Sequence, residues 1–272
     1  MTSHFDVIVV GVGTMGSSAC YHLARRGARV LGLDRFAVPH DLGSHHGFSR
    51  MIRLAYFEHP DYVVLLKRAY ELWRQLEADC GQQLLHMTGG LYLGRPESDL
   101  VSGSIRAARD HGLAHEVLDR AQLAERYPQF TLRDDMIGFF EPQAGFLRPE
   151  AVVAAQALAA MRQGAELHGH EPVKSWDAGG RSTREPGKPR AAPVTVQTEK
   201  AQYHADQLVF CGGPWSSQLV ADLGAPLTVT RQVMVWTWPR HPDLFASGRL
   251  PAWALDPADR GSHRGIYYGF PM

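Results

Sequence analysis

A chain of 272 residues that is 44% apolar has material for a sizeable core, in one large domain or two intertwined ones, and is too apolar to be disordered. Lys plus Arg balance Asp plus Glu at 28 each, so no net field recruits nucleic acid or an anionic membrane. No apolar run is long enough to span a bilayer, and Cys20, Cys80 and Cys211 are odd in number and widely spaced, which argues against a disulfide framework or zinc site and fits a reducing cytoplasm.

The N-terminus lacks a basic leader, and Phe5 to Val10 reads as a buried parallel strand broken by Gly11. Gly11, Gly13 and Gly16 then form G-x-G-x-x-G between that strand and a helix patterned through Met15, Ala19 and Leu23. Gly11 permits the tight turn, Gly13 lets backbone approach a pyrophosphate, and Gly16 lets the helix pack closely on the strand. The helix stops at Gly27, a natural C-terminal cap. "ARVLGLD" supplies the next strand, with Asp34 at its end placed to accept from ribose hydroxyls. The unit is an adenine-dinucleotide site; its residues alone do not choose between NAD and FAD. Cys20 stands where such helices often carry Gly or Ala, and it is small enough for the packing to survive.

The loop "GSHHGFSRMIRLAY", Gly43 to Tyr56, is cationic and aromatic within a neutral protein, which points to a small anionic ligand. Next comes an apolar stripe through Val63, Leu66, Ala69, Leu72, Trp73 and Leu76, which predicts a helix over 61–79. A strand over 84–93 interrupted at Thr88-Gly89-Gly90 follows, then a helix near 97–111. Pro149 opens an alanine-rich helix ending near Gly164. "AELHG" and "PVKSW" read as strands, 177–193 as an exposed Gly/Pro/Arg loop, and 194–198 and 207–210 as strands. In "PLTVTRQVMVWTWP" (226–239), period-two alternation predicts a strand of an antiparallel sheet. The fold expected is α/β, a parallel dinucleotide-binding domain interleaved with a mostly antiparallel one.

"GSHHGFSRMIRLAY", with "GFLRPE", "FCGGPWSSQL", "TRQVMVW" and "YYGFP" in that order, resembles the flavoprotein amine oxidases of the monomeric sarcosine oxidase and N-methyltryptophan oxidase group, within the D-amino acid oxidase-like superfamily. The resemblance implies FAD, held in a Rossmann-like domain at 1–84 and 148–223, and a substrate domain at 85–147 and 224–272. Relatives of that group continue past "YYGFP", so both domains are expected to be incomplete at the C-terminus. The implied activity is oxidation of an N-methyl or cyclic secondary amino acid to an imine, with O2 reduced to H2O2. Two alternatives stand beside it: a truncated FAD-binding fragment without activity, or a flavin dehydrogenase using another acceptor. The implied partners are a small amino acid and O2, with no nucleic acid or membrane, and a complete protein would be monomeric and cytoplasmic.

By the same resemblance, Arg53 pairs with the substrate carboxylate, for which a planar guanidinium fork is well shaped. On its residues alone Arg53 is equally a surface arginine paired with Glu58 or Asp61. Arg50 matches an arginine lying against the flavin ring, and His46 a histidine near it, with a purely structural hydrogen-bonding role for His46 equally open. Tyr268 matches a tyrosine lining the substrate side, with Tyr267 the alternative. FAD is expected to meet Gly11, Gly13, Gly16, Asp34, Arg35, Ser44, Arg50, Val173, Gly213 and Trp215; no metal is expected. Phe48, Ser49 and Leu54 depart from the group's usual Asp, Thr and His, so substrate identity does not carry over.

Overall fold

The computed structural model describes residues 4–178, 194–219, 226–257 and 265–272. They fall into two compact units, Met1–Phe48 with Pro149–Gln232, and Ser49–Arg148 with Val233–Met272. The stretch 49–84, grouped in the sequence reading with the dinucleotide-binding domain, packs in the second unit. From residue 179 onward, the loop expected over 177–193 lies outside the described residues.

In the first unit β1 (His4–Val10) runs parallel to β2 (Val30–Leu33) on one side and to β12 (Gln202–Phe210) on the other. Beyond β2 lies β9 (Glu166–His168), also parallel, while β11 (Val194–Thr198) and β10 (Val173–Asp177) extend the other edge antiparallel. All four residues of β2 are buried, as are Val7 to Val10 of β1. Such unbroken apolar strands suit a sheet covered on both faces. Helix α1 (Thr14–Arg25) packs along α5 (Pro149–Arg162), and buried Ser17 donates to the side-chain oxygen of Gln156 at 2.9 Å. Cys20 is fully buried in α1, and Gly32 on β2 leaves room for its sulfur.

The second unit holds two sheets. Strands β14 (Tyr267–Gly269), β13 (Ala252–Leu255), β5 (Gly90–Gly94), β7 (Ile137–Glu141) and β6 (Glu116–Leu118) lie in that order, antiparallel except for the β13–β5 pair. β3 (Arg50–Ile52), β8 (Gly145–Leu147) and β4 (Leu85–Met87) make a small antiparallel sheet. Of the helices, α2 (Tyr62–Cys80) ends at left-handed Gly81, α3 (Asp99–Asp110) is capped by Ser98, and α4 (Arg120–Arg126) carries a capping box from Asp119. Tyr92, Phe139, Leu100, Val63 and Ala254 share one core with Leu54 and Ala55. Gly103 of α3 lies so close to the Phe57 backbone that a Cβ there would overlap the Phe57 carbonyl oxygen. The backbone just past Tyr56 is thereby held against that helix.

One expected element is absent. Residues 226–239 form no strand, and Val233 and Trp238 are about 80% exposed. Alternation makes a strand only where a neighbour completes the hydrogen-bond ladder, and no described strand pairs with this run. No described helix is long and apolar enough to cross a membrane.

Candidate functional site

The glycine turn is built as its spacing predicts. Gly11 has φ +91°, and a Cβ there would overlap the Cys211 carbonyl oxygen, so the turn leading to Gly213 abuts the first one. A Cβ on Gly16 would overlap the Gly11 carbonyl oxygen, the close strand–helix approach for which glycine was inferred. Gly13 differs, for a Cβ there would meet only the His45 ring, at 3.4 Å. No backbone atom crowds it on that side, where the ring lies at ordinary contact distance. No side chain caps α1 and no acidic residue occupies its first turn, so the positive end of the helix dipole is left for an anion.

Asp34, at the end of β2, is buried and accepts from the Val12 N–H at 2.7 Å and the Phe36 N–H at 2.9 Å. A carboxylate has four lone-pair sites, which leaves capacity for ribose hydroxyls. Arg35 lies over the rings of Phe36 and Trp215, 5.3 and 5.4 Å from their centroids. Val173, in β10, packs at the margin of the sheet core. Ser44 and His46 are exposed in the 43–46 turn, where the His46 Nδ1 lies 3.0 Å from the Gly43 carbonyl oxygen. Buried His45 has Nε2 2.9 Å from the His40 carbonyl oxygen, and burial followed by the nearby His40 charge lowers its pKa. A diphosphate at Gly13, flanked by a ribose at Asp34, fits this arrangement.

In the second unit a cavity of about 310 Å³ is lined by Arg50, Arg53, Phe57, Glu58, Tyr92, Ile266 and Tyr268, at the lower end of the roughly 300–1,000 Å³ typical of small-molecule sites. Tyr268 lines it; Tyr267 does not. Arg50 donates from one guanidinium nitrogen to the Ser49 carbonyl at 2.7 Å and approaches the Met234 sulfur at 3.6 Å. The Arg53 side chain is only 15% exposed, stacked 4.4 Å above the Tyr56 ring and 5.1 Å from that of Phe57. One of its terminal nitrogens donates to both Glu58 carboxylate oxygens at 3.0 Å, while its Nε is buried with no partner. Arg53 is thus both paired with Glu58, as a surface arginine would be, and set into a cavity wall.

The sequence reading passed over Glu141. Its carboxylate, 1% exposed at the end of β7, accepts from the N–H groups of Leu54 (2.7 Å) and Ala55 (3.2 Å) and from the Tyr92 hydroxyl (3.2 Å). Burial raises its pKa against the pull of those donors and of Arg53. One signal pointed to it: in "IGFFE" the acid falls on the same face as buried Phe139. Leu54, in place of a histidine, is buried in the apolar core. No group of three or more His, Cys, Asp or Glu among the described residues could hold a metal ion.

The chain as a whole is similar to several known proteins. A monomeric sarcosine oxidase of Streptomyces avermitilis is 46% identical over 241 residues, covering 89% of this chain and 60% of that protein. An N-methyl-L-tryptophan oxidase of Yersinia pestis is 34% identical over 268 residues, covering 98% of this chain and 67% of its own length. This chain therefore spans about two thirds or less of these relatives. Among solved structures, NikD, an amino acid oxidase essential for nikkomycin biosynthesis, superposes with a TM-score of 0.78 at 26% identity, over 99% of this chain and 66% of NikD. Glycine oxidase of Geobacillus kaustophilus, 22% identical with a TM-score of 0.66 over 83% of this chain and 60% of its own, shares the fold. The pattern of the FAD dependent oxidoreductase family matches residues 6–271, and the chain belongs to that family.

Proposed function

We propose that the chain, loaded with FAD, oxidises a small secondary amino acid of the N-methylglycine type to its imine, with O2 as the final acceptor. The observation that carries this reading is the pair of guanidinium groups, Arg50 and Arg53, opening onto one small cavity with aromatic walls. The dinucleotide is assigned to Gly11, Gly13, Gly16, Asp34, Arg35, Ser44, Val173, Gly213 and Trp215, with Arg50 on the ring side. When bound, FAD supplies the acceptor for two electrons and one proton from the substrate's α-carbon and nitrogen, and O2 with one further proton becomes H2O2. The imine then takes up water and splits into an aldehyde and a primary amine.

The remaining work falls to side chains. Arg53 receives the substrate carboxylate, which displaces Glu58 from the terminal nitrogen that Glu58 holds. Phe57, Tyr92 and Tyr268 keep water from the reacting carbon. Arg50 adds a second positive charge to the cavity, favouring an electron-rich ring beside it. His46 remains a candidate for holding the cofactor in place. Action as a monomer in a reducing cytoplasm belongs to the same proposal; the free thiols of Cys20, Cys80 and Cys211 support the reducing compartment alone.

A second reading, FAD binding without turnover, draws support from the exposed apolar side chains between Val233 and Trp238. Anaerobic addition of N-methylglycine to the yellow protein, followed by air, separates the readings. Bleaching followed by peroxide supports the oxidase, and bleaching without peroxide means a different electron acceptor. A yellow protein that never bleaches would refute the proposal.

A further inference from the structure

A single buried carboxylate lies behind the turn that carries Arg53, and the inference drawn from it rests on the reading of Arg53 as carboxylate anchor. We infer that Glu141 is a positioning residue for substrate binding, holding the turn that carries the Arg53 guanidinium into the cavity wall.

The segment following Arg53 is tightly folded. The Tyr56 N–H donates to the Leu54 carbonyl at 2.7 Å, which reverses the chain and brings the Tyr56 ring under the guanidinium. That reversal turns the N–H groups of Leu54 and Ala55, both residues buried, into the protein interior. Both donate to the single Glu141 carboxylate. The Ala55 carbonyl accepts from buried Ser104 at 3.4 Å.

A buried carboxylate is costly to keep unless several donors and a nearby cation compensate. Here three donors converge on it, and Arg53 supplies the nearby positive charge. The alternative for two adjacent buried N–H groups is to be left unsatisfied, so without Glu141 the turn should open and release Arg53 from its ring stack. Tyr92 connects the carboxylate to the cavity, since its hydroxyl donates to Glu141 while the same residue lines the cavity. Glu141 itself does not line the cavity.

The test mixes the full FAD-loaded chain, without air, with increasing N-methylglycine and reads the concentration that gives half-maximal rate of flavin bleaching, with FAD affinity measured separately by fluorescence quenching. Glu141→Ala should weaken N-methylglycine roughly tenfold or more, the effect of losing hydrogen bonds to a charged group. Affinity for FAD should stay within about twofold. Glu141→Gln retains one acceptor oxygen and should recover most of the loss. Should the alanine variant fail to fold, Glu141→Met, similar in volume and without a strong acceptor, takes its place with the same expectation. Arg53→Ala serves as the reference. If it loses N-methylglycine while the Glu141 variants bind as wild type does, the positioning role is overturned and the anchor reading stands. If Arg53→Ala and wild type bind alike, or wild type takes up none, the anchor reading fails and this inference with it. Equal losses of N-methylglycine and FAD in Glu141→Ala would mark a merely structural residue.

Discussion

Replacing Gly13 by alanine should separate folding from cofactor binding. Gly13 is the residue preceding α1, and its φ of −76° is one that any L-residue adopts. A methyl group there would sit 3.4 and 3.5 Å from the Nδ1 and Cε1 atoms of His45, a contact that a small ring shift relieves. Losing glycine's freedom in the unfolded chain contributes about 0.4–1 kcal/mol in favour of the variant, and the poorer helix cap costs a comparable amount. The net change is expected to lie within about 1 kcal/mol, a shift of no more than roughly 4 °C in the melting temperature of the FAD-free protein. Binding should respond very differently. The methyl would occupy the space through which the turn approaches a diphosphate, and two charge-assisted N–H bonds at about 1.5–3 kcal/mol each amount to roughly two to four orders of magnitude in Kd. Titration of FAD into wild-type and variant protein, followed by flavin fluorescence quenching, reads this directly. A variant that binds FAD within about threefold of wild type would show that no phosphate lies at Gly13.

Gly16→Ala should fail for the opposite reason. Its Cβ would overlap the Gly11 carbonyl oxygen, so α1 must move away from the sheet. We expect a loss of about 3 kcal/mol or more in the FAD-free protein, visible in a urea melt; wild-type stability would refute the packing account. Arg53→Ala should raise the KM for N-methylglycine by about 30-fold or more and leave the flavin absorbance intact, and an unchanged KM removes Arg53 from anion binding. His45 should tie stability to acidity. Its folded pKa lies below its ordinary 6.5, chiefly through burial, so between those two values the unfolded chain holds more of the proton. The stability it contributes is present above pH 6.5 and lost as pH falls through the folded value. His45→Asn should therefore flatten the decline in urea midpoint below pH 6.5, and an unaltered slope would contradict that.

The glycine turn, Asp34 and the helices 61–79, 97–111 and 149–164 were legible because each rests on local chemistry: a positive φ, a close approach, an apolar stripe, a cap. The cavity was legible only in part. Arg50 and Arg53 stood out as charges in an aromatic loop, yet nothing nearby in sequence told that a residue 87 positions further on, Glu141, would satisfy the Leu54 N–H. Short strands such as Arg50–Ile52 and Gly145–Leu147 carry too few residues for alternation to register, and pairing alone makes them strands. Residues 226–239 fail in the converse way, with a convincing alternation and no partner among the described strands. Periodicity reports which faces a segment could bury, whereas a ladder depends on what arrives beside it.

The arrangement of the first sheet has a consequence for biosynthesis. β1 occupies an interior position between β2 and β12, and His4 is in register with His204. Emerging at roughly 5–20 residues per second, the nascent chain supplies β2 soon after β1 but leaves the other edge of that first strand waiting about 10–40 s for β12. During that interval one open edge of an apolar strand faces the crowded ribosome exit. Yield in the cell should then respond to holdase chaperones and to slower growth temperature more than to any substitution on the finished surface.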